Sequence, residues 1–182
     1  MLEQWHEFYA LIGTAAAALV ALLFVAASIL ANVFTAETAD GTRTFMSPVV
    51  FHYANILFLS LIALVPGQTP ATFSIVIAVA ALGSLAYSIF VAVRVFRHSI
   101  SDLPDRLAYG CAPVVAYSAG LVAAWLVFHE SEAGLDVLAG AALLLLVVNM
   151  RNAWDLMLSL ARRNALQRQS ADGAAPSQPP SP

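Results

Sequence analysis

Apolar residues arrive along this chain in five long runs separated by short polar breaks, and the length of the runs carries the first inference. Residues 8–34 hold no charged side chain. As a helix that run would extend about 40 Å, enough to cross a hydrocarbon core of about 30 Å with some tilt. Glu3 and Glu7 precede it and no basic residue does. A signal peptide needs a basic lead and a shorter apolar stretch, so the run is expected to remain as a transmembrane helix. Gly13, Ala17 and Ala21 along it repeat at the spacing that lets two helices approach closely in lipid.

Polar breaks divide the remainder of the chain. Residues 35–46 read as a loop around the turn signal Ala39-Asp40-Gly41-Thr42, closed by Ser47-Pro48, where serine caps and proline opens a helix. A second span is predicted over 48–65. Pro66-Gly67-Gln68-Thr69-Pro70 then makes a tight break, so that spans two and three form a hairpin. Span three covers about 71–96, with Ala80, Ser84, Ser88 and Ala92 as a narrow face. Arg94, Arg97, His98, Asp102, Asp105 and Arg106 make the next loop the most charged in the chain. Asp102-Leu103-Pro104 reads as the start of span four, to about residue 128. Pro113 inside that span removes one backbone bond and frees the carbonyl of Tyr109, which predicts a kink near Gly110-Cys111. Span five covers about 135–157, with a helical extension to about 168. The tail 169–182, rich in Ser, Ala, Pro and Gln, cannot bury a core and is expected to be disordered.

Composition agrees with the pattern and sharpens it. A mean hydropathy of +0.80 and 10% charged residues, against about 25% in soluble domains, make the bilayer the solvent. All eight basic residues are arginine. With five crossings, every arginine falls on one side: Arg43, then Arg94, Arg97 and Arg106, then Arg151, Arg162, Arg163 and Arg168. That side is expected to be the cytoplasm. Trp5 and Trp125 would mark the outer interface and Trp154 the inner one. The expected fold is therefore all-α: a polytopic transmembrane helix bundle over 1–168, five spans, amino terminus outside and carboxyl terminus cytoplasmic. Cys111 stands alone, so no disulfide framework exists. A net charge of −3 with no basic block argues against a nucleic-acid partner.

Three stretches carry a resemblance: Phe8-Tyr9-Ala10-Leu11-Ile12-Gly13-Thr14-Ala15-Ala16-Ala17-Ala18, Leu23-Phe24-Val25-Ala26-Ala27-Ser28, and Arg151-Asn152-Ala153-Trp154-Asp155-Leu156. They resemble a group of small bacterial multi-span membrane proteins with no known activity. The resemblance covers the first and last spans best and implies a bacterial inner-membrane, multi-pass protein. It lends no site.

The chain has no Gly-rich phosphate loop and no H-E-x-x-H, G-x-S-x-G or C-x-x-C motif, so no enzyme and no cofactor is expected. Three polar groupings remain. On span five, Asn149, Arg151, Asn152 and Asp155 fall within an arc of roughly 160°, and the topology sets them level with His52, Asn55 and Asn32. Intramembrane polar groups are often functional, which suggests a gate or binding site; near the headgroups the same residues serve as an anchor. If Arg151 and Asp155 pair inside the bundle against His52 or Asn55, breaking the pair on one side costs about 3–5 kcal/mol. The outer grouping, His6 and Glu7 with His129 and Glu130, has the ligand types of a zinc or manganese site but no i,i+4 histidine pair. Finally, His52 and His98 could flank a haem. The function expected first is a non-enzymatic scaffold or accessory subunit, with the bilayer, another membrane protein or further copies of itself as partners. An oligomeric channel or carrier for a small solute or ion is the alternative, and a metal-binding membrane protein the third reading.

Overall fold

The computed structural model describes residues 2–29, 36–98 and 106–173, and all the regular structure among them is helical. A short 3-10 turn, Leu2–Trp5, leads into α1, His6–Ile29. Then come α2, Ala36–Ala63, and α3, Pro70–His98. A π turn, Leu107–Cys111, opens onto α4, Ala112–Phe128, and α5 runs over Ala133–Gly173. Four stretches are long and apolar enough to cross a membrane: Leu2–Ser28, Pro70–Arg97, Leu107–Phe128 and Ala133–Ser159. The apolar part of α2, Pro48–Ala63, is shorter.

Several boundaries differ from those read off the sequence. Pro48 does not open α2 but lies inside it, because the helix already begins at Ala36. A proline removes only its own amide bond, and the turn propensity of Asp40-Gly41 is a weak local preference that the helix overrides. The expected start of span four at Asp102-Leu103-Pro104 lies outside the described residues. At the carboxyl end the helix continues to Gly173, past the expected onset of the tail at residue 169.

The hairpin between α2 and α3 forms where the break residues stand. Gly67 takes the left-handed φ of 72°. The Thr72 amide donates to Thr69 Oγ1 at 3.1 Å, so Thr69 caps α3 with Pro70 as its first residue. Gln68 ties the turn back through Nε2 to the Ile62 carbonyl at 3.0 Å. Between α4 and α5 the connection is shorter still. The Ser131 amide reaches the Leu126 carbonyl and the Glu130 amide that of Val127, with Glu130 at φ 57°. This is a Schellman closure in which Glu130 holds the position usually taken by glycine.

Each helix buries one stripe with a repeat near 3.5 residues, as helices packed at small crossing angles do. On α3 it runs Ile77, Ala81, Ser84, Ser88, Val91, Val95; on α5 it runs Leu138, Ala142, Leu145, Asn149, Asn152, Leu156. α4 contributes Pro113, Ala116, Tyr117, Gly120, Ala124 and Val127. The helices pack α1 on α2, α2 on α5, α5 on α4 and α4 on α3, with α1 and α5 meeting only sparsely. On α1 the packed face is Tyr9, Ile12, Gly13, Ala16 and Leu23, so the expected small-residue row splits: Gly13 is buried while Ala17 and Ala21 are exposed. Gly13 lets α1 approach α2 closely. A Cβ there would stand 2.7 Å from Ser60 Cβ.

The surface reverses the soluble pattern. Leu11 is 72% exposed, Val79 69% and Trp154 66%, in company with Leu22, Phe24, Ile75, Phe90 and Val147, whereas His52, Ser84, Ser88, Asn149 and Asn152 lie inside. Soluble monomers seldom expose large contiguous apolar surface, so this exterior suits contact with lipid.

Candidate functional site

Among the described residues, two polar clusters lie within the bundle. The first joins α2, α3 and α4. Asn55 donates from Nδ2 to the Phe51 carbonyl at 2.9 Å, which only accepts, so its Oδ1 faces Ser84 and takes the Ser84 hydroxyl proton at 2.8 Å. The Tyr117 phenol lies beside the Ser84 hydroxyl. Its oxygen shares a hydrogen bond with His52 Nδ1 at 2.8 Å. His52 is 2% exposed, and its ring lies against Tyr117 with centroids 5.5 Å apart. Beside it Tyr87 packs on Phe51 at 4.4 Å. A cavity of about 60 Å³ adjoins this relay, bounded by Asn55 and Tyr117 and otherwise by apolar side chains such as Ile77, Ala81 and Leu138.

The second cluster fastens α5 to the π turn. The Ala112 amide bonds back to the Leu107 carbonyl, five residues away. In that register the next amide would serve Ala108, but the next residue is Pro113, which has none. Asn152 Nδ2 donates to the Ala108 carbonyl instead, at 3.4 Å, and Tyr109 returns its hydroxyl to the Asn152 carbonyl at 2.8 Å. In this wider register the carbonyl facing the missing Pro113 amide is that of Ala108. Asn149 donates to the Leu145 carbonyl of its own helix at 2.7 Å. The Oδ1 atoms of Asn149 and Asn152 are buried without a hydrogen-bond partner among the described residues.

The expected inner grouping is thus divided. Asn149 and Asn152 continue the buried stripe of α5, whereas Arg151 and Asp155 point roughly 140° and 100° away from its centre. Their pair, at 3.5 Å, has side chains 44% and 40% exposed. The pair is therefore not enclosed by the bundle. His52 and Asn55 face α3 and α4 rather than this pair. Asn32 lies outside the described residues.

The outer grouping does not form a metal centre among the described residues, where no three His, Cys, Asp or Glu side chains stand close enough to hold an ion. Ring nitrogen Nδ1 of His129 bonds the Trp125 carbonyl at 2.8 Å, and Glu130 closes the turn. His6 and Glu7 open α1. For the haem reading, His52 is engaged by Tyr117, while the His98 side chain lies outside the described residues.

Sequence reasoning passed over Tyr117 and the Tyr109 hydroxyl. The clue was present in α4, where Tyr117 is the one phenol on a stripe otherwise made of Pro113, Ala116, Gly120 and Ala124. A polar-tipped ring on such a stripe must find a partner on a neighbouring helix.

No protein-family model, curated protein or solved structure matches this chain. The class defined by fold and site is that of all-helical proteins with several helices of membrane-crossing length, fastened internally by cross-helix hydrogen bonds.

Proposed function

We propose that this chain is a five-span protein of the bacterial inner membrane that acts without catalysis, as a scaffold or accessory subunit for another membrane protein or for copies of itself. The observation that carries this reading is the closed relay from His52 through Tyr117, Ser84 and Asn55, which ends on the Phe51 carbonyl. A carbonyl passes on no proton, so the relay spends its polar groups holding three helices of one chain together. On the outside, α1 presents Ala10, Thr14, Ala17 and Ala21, with the Thr14 hydroxyl folded back onto the Ala10 carbonyl at 2.8 Å. Such a low surface admits the close approach of a helix from another protein.

Co-purification from mild detergent should recover a second membrane protein or a homo-oligomer, and liposomes carrying the pure chain should pass no ion or small solute. Flux in those liposomes would replace this reading with the channel or carrier, using the cavity between Asn55 and Tyr117.

In the five-span arrangement the apolar part of α2 is the short crossing, about 24 Å long, and the remainder of the helix carries Arg43 to the inner face. The amino terminus lies outside, and all eight arginines lie within. A reporter active only in the cytoplasm should work when fused after Pro182. A periplasmic signal at that point would mean an even number of crossings, with α2 the segment that fails to span.

A further inference from the structure

α1 and α5 diverge, and between them lies a groove of about 650 Å³, within the range of small-ligand sites. Leu19, Leu22 and Val147 belong to its apolar lining, which Arg151 and Trp154 of α5 and Tyr53 of α2 complete. Tyr53 is fully buried, and its hydroxyl has no hydrogen-bond partner among the described residues. An orphaned phenol costs about 1–3 kcal/mol unless something satisfies it. We propose that this groove binds one phospholipid: an acyl chain lies along Leu19, Leu22 and Val147, the Tyr53 hydroxyl donates to an ester carbonyl, and the headgroup phosphate meets Arg151.

α1 and α5 line the groove over Leu19 to Ala26 and Val147 to Met157, mostly with apolar residues, and Arg151 and Trp154 stand within one helical turn of each other among them. An indole beside a guanidinium suits the headgroup interface, where tryptophan is enriched and arginine meets phosphate. The guanidinium matches the charge and fork geometry of a phosphate. Arg151 also bonds Asp155, and a phosphate adds to that pair without displacing it. The inference rests on the membrane reading. It adds a specific ligand, placed in the inner leaflet by the proposed topology.

Native mass spectrometry of the full chain in mild detergent, titrated with phosphatidylglycerol and separately with a diacylglycerol of the same chains, tests it. One phosphatidylglycerol should remain bound per chain, and the diacylglycerol should bind more weakly. Arg151→Gln should weaken the phosphatidylglycerol roughly fivefold and leave the diacylglycerol unchanged. Tyr53→Phe should weaken both lipids about two- to tenfold. Ala153→Phe fills the groove and should abolish retention. If that variant fails to fold, Tyr53→Phe decides alone. Equal retention in all folded variants would reduce the bound lipid to a general annulus and overturn the proposal. A dimer that excludes lipid and is lost in Ala153→Phe would overturn it as well, by assigning the groove to a second copy. Recovery of the chain from the soluble fraction without detergent would sink the membrane reading itself, a result separate from any of these.

Discussion

Gly134→Ala should lower the thermal midpoint of the detergent-solubilised protein by several degrees, although it adds a single methyl group. The new Cβ would sit 2.8 Å from the Val127 amide nitrogen, 3.0 Å from the Ala123 carbonyl oxygen and 2.7 Å from Val127 Cγ2. The last contact could relax by rotation, but the first two are backbone. α4 and α5 would therefore have to separate where the Schellman turn joins them most tightly. Overpacking of this kind costs about 1–3 kcal/mol, and each kcal/mol shifts the midpoint by roughly 2–4 °C in a chain of this length. Gly140, on the same helix, supplies the control, since a Cβ there meets nothing within 4 Å. Gly140→Ala should be neutral, or stabilise by about 0.5–1 kcal/mol through helix propensity. Equal effects of the two substitutions, read by circular dichroism melting, would show that the close approach at Gly134 contributes nothing.

The second large effect is expected at Tyr117. Tyr117→Phe leaves the ring in place and removes only the hydroxyl, which strands His52 Nδ1 at a position 2% exposed. A stranded group of this kind costs about 1–3 kcal/mol. His52→Leu in the same chain removes it, so the double variant should melt above Tyr117→Phe alone. The coupling between the sites is the quantity to measure, as a double-mutant cycle. Simple additivity would mean that the His52–Tyr117 bond does not hold α2 to α4, and the closed relay behind the proposed function would lose its first link.

The helical class, the hairpin at 66–70 and the long apolar runs were legible in the chain itself, because they depend on local properties. Run length against membrane thickness, a proline and glycine between two runs, and a threonine ahead of Pro70 act within a few residues of where they stand. The polar clusters were legible only in part. Asn149, Asn152, His52 and Asn55 announced themselves as polar groups in apolar surroundings. Their partners did not, since Tyr117, Ser84 and Tyr109 look ordinary until α3 and α4 are laid beside α2 and α5.

What the sequence by itself determined is thus the list of helices and the presence of buried polarity; which face of each helix turns inward was decided by packing. The polar arc on α5 shows why. Asn149, Arg151, Asn152 and Asp155 are almost adjacent along the chain, and the local pattern joins them. The stripe of Leu138, Ala142 and Leu145 selects a rotation about the helix axis that carries both asparagines inside and leaves the ion pair part-exposed. The wider register at Leu107–Cys111 is likewise a tertiary outcome. Pro113 orphans a carbonyl wherever it stands, but the amide of Asn152, brought from another helix, is what satisfies that of Ala108. A chain can encode a missing donor locally, whereas the group that replaces it comes from a part of the molecule that only folding brings near.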